Sequence, residues 1–339
     1  MPLDHYVPQT HLRHFYSPAL EGKKMFGIRK RDLHIFPCSA KDVCREMDGS
    51  TNPFLVNERA IEGFLAHIEP LYNPSVECLR RGGPLDDQTI FALAGMTAYL
   101  SSCTPASARV RSDFLKASVE VTIGILEKRG DIKPFTNEIN GTRMLSDMVA
   151  MGGVNVDIDK KYPKSLGIRS IIDLTYRFGN FEWEIIRNEH YDSPFFTSDN
   201  PVAIEVGKDP RIINKIIPLA PDVCLRVLPR IEGDRRVRRD FRDIKYRYLR
   251  APREMVRRIN TAIVQCAEVL VFSQVDAAWV KTFVKRHADA RIMPVTLKIP
   301  QPQGGTAIVH TCRISLDGSN LTGLDRSGSK RIQRSPTVN

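Results

Sequence analysis

No apolar run in this sequence approaches the ~20 residues of a membrane-spanning helix, and the first residues carry neither the basic nor the apolar stretch of a secretory signal. Both absences predict a cytoplasmic protein with no membrane partner. The seven cysteines are scattered and odd in number, with no Cys-x-x-Cys pair. They read as reduced thiols, several serving as small core residues, and they argue against a cysteine-based zinc site. Gly-x-Gly-x-x-Gly, the phosphate-binding P-loop and Gly-x-Ser-x-Gly are all missing. Nucleotide-driven motors and nucleophile-elbow hydrolases therefore lack support. No internal repeat is present.

The chain does have the length and composition of a globular protein with a large core: 339 residues, 42% hydrophobic and 26% charged. Apolar residues recur at helical spacing from about residue 56 to 180. Ile61, Phe64, Leu65, Ile68 and Leu71 form one stripe. Ile90, Leu93, Ala94, Thr97 and Leu100 form a second, behind Asp86-Asp87. Phe114, Val121, Ile125 and Leu126 form a third, stopped by Gly130. A further helix is predicted over Leu166–Phe178. Strands are predicted at Met25–Arg29 and Leu33–Phe36, a hairpin, and from residue 181 to 273 as a meander of short segments. Met255–Leu270 and Ala277–His287 are again helical. The fold class is α+β: a helical bundle on a mainly antiparallel sheet formed by N-terminal (5–36) and C-terminal (181–273) strands. One domain is predicted over residues 1–300. A basic, largely disordered tail is predicted over 301–339, mobile from Gly318 on.

Charge is uneven. Of a net +11, the stretch Arg230–Arg258 supplies +7, with Phe241, Tyr246 and Tyr248 interleaved. Cations grip phosphate and rings stack on bases, so this stretch suits a nucleic acid. The alternative is a solvated face with salt-bridged loops.

Two segments hold most of the chemistry. His5-Tyr6-Val7-Pro8-Gln9 precedes a short helix over Pro8–Phe15, and Thr197-Ser198-Asp199-Asn200-Pro201 follows a buried strand. His5 is the candidate acid or base, since imidazole titrates nearest neutrality. Gln9 and Arg13 share one face of the helix, where an Arg can bind phosphate bidentately or form a surface pair. Asp199, at a strand end, is placed either to activate water or hold a divalent cation such as magnesium, or to make a turn with Asn200. Asn260 sits on an apolar helix face and needs partners. It either clamps a nearby backbone, such as the Ser198–Pro201 turn, or helps line a site. His11 and His14 stand three apart, but no further ligand at metal spacing accompanies them.

These motifs resemble a family of bacterial proteins catalogued as a domain of unknown function. Its members open with His-Tyr-Val-Pro-Gln-x-x-Leu-Arg-x-Phe, here His5 to Phe15, and later carry Thr-Ser-Asp-Asn-Pro, here Thr197 to Pro201. Ile68-Glu69, Pro218-Leu219-Ala220-Pro221 and Ile259-Asn260 with Ala267 extend the likeness over residues 4 to 273. The resemblance implies no established activity, although the polar residues of both segments look like an enzyme pocket. The leading expectation is a phosphodiester hydrolase, a nuclease of bacterial defence or conflict acting on RNA or DNA. In it His5 and Asp199 are catalytic, Gln9 and Asn200 orient, and Arg13 stabilises phosphate charge. The alternative is a non-enzymatic nucleic-acid-binding or regulatory protein. A third option is chemistry on a small nucleotide.

Overall fold

The computed structural model describes residues 3–137, 141–207, 209, 212–229, 238–301 and 306–316. The chain opens with β1 (Leu3–His5), α1 (Gln9–Arg13), β2 (Met25–Arg29), β3 (Ile35–Cys38) and β4 (Arg45–Met47). Three long helices follow: α2 (Ala60–Arg81), α3 (Asp87–Cys103) and α4 (Pro105–Arg129). The pair β5 (Phe135–Asn137) and β6 (Gly141–Arg143) precedes α5 (Leu145–Ala150), α6 (Tyr162–Arg169) and α7 (Ile171–Gly179). Then come β7 (Glu182–Arg187), β8 (Thr197–Ser198), β9 (Ala203–Val206), β10 (Ile213–Ala220), β11 (Val223–Leu228) and β12 (Tyr246–Arg250). The last elements are α8 (Arg253–Cys266), β13 (Leu270–Ser273), α9 (Ala278–His287), β14 (Ala290–Pro300) and β15 (Thr306–Leu316).

The architecture is α+β, as the patterning predicts, but the strands divide between separate sheets. The larger has five strands in the order β12-β7-β11-β10-β9. A second has four, β3-β2-β13-β8, and joins the N-terminal hairpin to the Thr197–Pro201 segment through β13, and the pairs β1-β4, β5-β6 and β14-β15 stand as two-stranded sheets. Residues of the larger sheet alternate between two cores. Ile185, Ile217 and Leu225 pack with α2 and α3, whereas Ile186, Ile216 and Cys224 pack with Ile259 and Ile263 of α8. A sheet covered on both faces explains why its strands are more continuously apolar than a half-exposed meander.

Helix α3 lies at the centre and is buried on nearly every side. The Asp86 carboxylate caps it by accepting the Thr89 N–H at 2.8 Å. Gly95 allows the close approach of α2: a Cβ there would lie 2.5 Å from the Ile68 side chain. Gly130, at φ +78°, ends α4 in the left-handed conformation that glycine adopts freely.

Three differences from the sequence expectation have physical causes. The helix predicted over 166–178 is two helices that meet at Ser170, whose hydroxyl donates back to the Leu166 and Gly167 carbonyls. The meander is not wholly antiparallel, since β12 pairs parallel to β7 after a long connection. Residues 306–316, assigned to the tail, form β15, which pairs along its whole length with β14. The tail from Gly318 on lies outside the described residues.

Candidate functional site

The N-terminal segment is docked. β1 pairs with β4, the Tyr6 N–H donates to the Cys44 carbonyl at 2.9 Å, and the Tyr99 hydroxyl donates to the His5 carbonyl at 3.0 Å. The His5 Nε2 atom is sealed from solvent and has no partner among the described residues. His5 lines none of the cavities described below, so the structure does not bring it to an open site with Asp199.

Asp199 is a backbone clamp. It is 4% exposed, and its two oxygens accept N–H bonds from Glu268 (2.9 Å), Val269 (2.7 Å) and Leu270 (3.0 Å), the residues that lead from α8 into β13. Burial raises its carboxyl to about 6, against the pull of those three donors. The assignment of Asp199 as water-activating base or magnesium ligand is corrected on this ground: its lone pairs meet N–H groups, where a cation would need them free. Among the described residues no group of three His, Cys, Asp or Glu side chains is placed to hold a metal ion. Lys30 reinforces the same junction, donating at 2.7 Å to the carbonyls of Ala267 and Ala290.

The other predicted residues divide similarly. Asn260 does clamp a backbone, but two to four residues upstream of the turn: it accepts the Phe196 N–H and donates to the Pro194 carbonyl, both at 2.9 Å. Both ends of its amide are thereby used, so the substrate-binding assignment is withdrawn. Asn200 accepts from Thr104 Oγ1 and donates to the Cys266 carbonyl, each at 2.9 Å, while one side of it borders a small cavity. Gln9 and Arg13 bond to each other at 2.9 Å on the outer face of α1, the surface pairing that their spacing allows. His11 is fully buried, with Nδ1 2.8 Å from the Tyr72 hydroxyl and Nε2 3.0 Å from Thr197 Oγ1. It therefore joins the two family motifs directly, and burial lowers its pKa to about 3, so it is neutral at physiological pH.

The group able to do chemistry joins His14, considered from the sequence only as a metal ligand beside His11, to His190, which the sequence did not single out. A cavity of about 620 Å³ opens where α1, the end of α2, the β7–β8 connection, the β10–β11 turn and the segment after β13 converge. Two imidazoles line it. His14 Nε2 lies 2.9 Å from Asn73 Oδ1, and His190 Nε2 lies 3.2 Å from the Ala251 carbonyl. Each of those acceptors fixes the hydrogen on Nε2 and leaves the Nδ1 lone pair without a partner among the described residues. Burial, then the nearby Arg80, holds His14 below the ordinary imidazole value. Arg80 is fixed by a bidentate pair with Asp222 at 2.8 Å and by Glu77. Tyr191, 90% exposed, stands at the mouth, and Asn188 and Gln274 add amide groups. The sequence signals were the polar run Asn188-Glu189-His190-Tyr191 after an apolar strand and the Pro218–Pro221 segment ahead of Asp222.

The basic stretch is largely neutralised where it is described. Arg238, Arg242, Arg247, Arg250, Arg253 and Arg257 each pair with a carboxylate. Arg239 lies over the Tyr176 ring, 5.7 Å from its centroid. Residues 230–237 lie outside the described residues. Salt-bridged loops, the second option for this stretch, account for what is seen. No described helix is long and apolar enough to cross a membrane.

Comparison with curated proteins and with solved structures finds no match. A family model does match, over residues 4–277, and this span contains every segment that walls the larger cavity. The chain belongs to the family described as a protein of unknown function, DUF4238.

Proposed function

We propose that the protein is a phosphodiester hydrolase acting on a nucleotide-sized substrate in the cavity that His14 and His190 share. The carrying observation is the pair of imidazoles on one cavity, each with Nε2 against an acceptor and Nδ1 without a partner among the described residues. Hydrolysis of a phosphodiester needs a base for the attacking hydroxyl or water and an acid for the departing oxygen, each worth ~10²–10⁴ in rate. His14, neutral at physiological pH, takes a proton from the nucleophile on Nδ1. His190, on the same cavity, is the group placed to return a proton to the leaving alkoxide. Arg80, held in place by Asp222, is the cation beside the developing charge.

Electrostatics sets the scale of the substrate. Arg80 is already balanced by two carboxylates, and the described arginines of residues 238–257 are mostly paired. A long polyanion would gain little from counterion release on such a surface. A single nucleotide fits a volume within the ~300–1,000 Å³ of small-molecule sites, and the exposed Tyr191 ring offers a stacking face for its base. RNA or DNA enters as a source of one unstacked nucleotide. The seven free cysteines suit a reducing cytoplasm, where depletion of a nucleotide pool would serve a defence role.

The test is hydrolysis of bis(p-nitrophenyl) phosphate, cyclic dinucleotides, RNA and DNA by purified protein, with magnesium or with EDTA. Expected is activity that falls by at least about 10²-fold in His14→Ala and in His190→Ala, with melting temperatures close to wild type. Hydrolysis that survives both substitutions, or none from the wild-type protein on any of these substrates, refutes the proposal.

A further inference from the structure

A second cavity, of about 200 Å³, lies between α4 and the β9–β10 edge of the larger sheet, closed by Ile292 of β14 and Cys312 of β15. None of its lining residues touches the larger cavity. Two cations border it. Lys215, from β10, has no hydrogen-bond or ion-pair partner among the described residues. Arg111, from α4, donates one Nη1 bond to the Ser102 carbonyl at 2.7 Å and has no carboxylate partner among them. The neighbouring cation Arg109 differs: it is taken up by a bidentate pair with Glu268.

The surroundings supply no counter-charge. Burial is the largest influence on both and lowers each; the charged or titratable neighbours are, for Lys215, the thiols of Cys312 and Cys266 and the like charge of Arg111, and for Arg111, the thiols of Cys103 and Cys312. Burial pushes Cys266 and Cys103 up to about 11, so both are neutral at physiological pH. Ser101, also bordering the cavity, has a hydroxyl that is buried and without a partner. Two cations in a partly desolvated space without an anion are costly. An orphaned hydroxyl adds a donor that is paid for by nothing in the protein.

We propose that this cavity binds a small tetrahedral oxyanion, of the phosphate or sulfate class, gripped by Lys215 and Arg111 with the Ser101 hydroxyl as a third donor. The volume sets the size of the ligand, being well below the ~300–1,000 Å³ of sites that hold organic ligands. Charge-assisted bonds from a guanidinium and an ammonium are the strong class of contact for such an ion. The wall that β14 and β15 supply lies beyond residue 277, the end of the family match. The anion site is therefore completed by a part of this chain outside that match.

The experiment measures melting temperature and titration calorimetry with inorganic phosphate, at fixed ionic strength against chloride, for wild type, Lys215→Met and Arg111→Gln. Phosphate stabilises proteins generally through exclusion from their surface, an effect that all three proteins share. The site-specific part is saturable in the wild type and at least about tenfold weaker in each variant. Two variants on separate elements leave one to decide if the other fails to fold. Adenosine monophosphate is the size control and should give no saturation at this site. Equal phosphate responses in all three proteins, or a saturable nucleotide response that both Lys215→Met and Arg111→Gln abolish, would overturn the proposal. Hydrolysis at the His14–His190 cavity is unaffected by either variant, so the two proposals fail separately.

Discussion

Replacing Asp199 by Asn separates the charge of the clamp from its hydrogen bonds. In the folded chain the carboxyl titrates at about 6 instead of 3.8. A folded-state value above the unfolded one means that the folded chain binds more proton in the window between those values. The contribution of this group to stability therefore falls as pH rises through that window and is lowest above pH 6. Two pH units of separation correspond to about 3 kcal/mol. Asparagine carries no such penalty, but it presents an NH₂ where one backbone N–H needs an acceptor, at a cost of ~1–3 kcal/mol. The two nearly cancel at neutral pH, so Asp199→Asn should unfold within about 2 kcal/mol of wild type there. Asp199→Ala is freed of the same charge but orphans the N–H groups of Glu268, Val269 and Leu270 together, and should be less stable than the Asn variant by ~2 kcal/mol or more. Urea unfolding followed by the fluorescence of the fully buried Trp183 reads both. As pH drops from 7 to about 4, the wild type should gain on the Asn variant. An Asn variant as unstable as the Ala variant at neutral pH, with a gap that does not change with pH, would refute this account of the clamp.

Other outcomes follow from the same geometry. His11 is lowered from 6.5 to about 3, so its contribution to stability is whole above pH 6.5 and is lost as pH falls toward 3. Wild type should lose up to ~1.4 kcal/mol per pH unit from this site below pH 6, and His11→Gln should lack that part of the slope, as melting at neutral and mildly acidic pH would show. Asn260→Ala leaves the Phe196 N–H and the Pro194 carbonyl without partners and should cost about 2–4 kcal/mol in urea unfolding. Arg226, 9% exposed, pairs with Glu184 at 2.7 Å, and Arg226→Met should cost about 1.5–3 kcal/mol, because the buried carboxylate loses one of its two arginines and keeps Arg247.

What was legible in the sequence was local. The α3 stripe, its Asp86 cap and the Gly130 stop follow from spacing and from single residues whose conformational needs are specific. An amide on the apolar face of α8 must find backbone partners, so the clamp at Asn260 could be expected, if not its address. Within the meander predicted over 181–273, the bounds of β10 do not follow from the sequence because Pro218 argues against a central strand, and those of β12 are obscured by the charges that alternate through Tyr246–Arg250. The site was less legible for a physical reason. The Asp199 carboxylate looks the same in sequence whether it faces water or three N–H groups about 70 positions downstream. His14 and His190 become neighbours on one cavity only through pairings that span the chain.

Those pairings bear on how the protein is made. Strand β2 finds its partner β13, and His11 meets Thr197, across separations of about 245 and 186 residues. At ~5–20 residues per second of synthesis, the N-terminal motif emerges from the ribosome tens of seconds before the strand that covers it. During that interval the hairpin of Met25–Cys38 presents an open edge, the kind of surface on which nascent chains aggregate. Yield from a cell should therefore track chaperone supply more closely than the stability of the finished molecule.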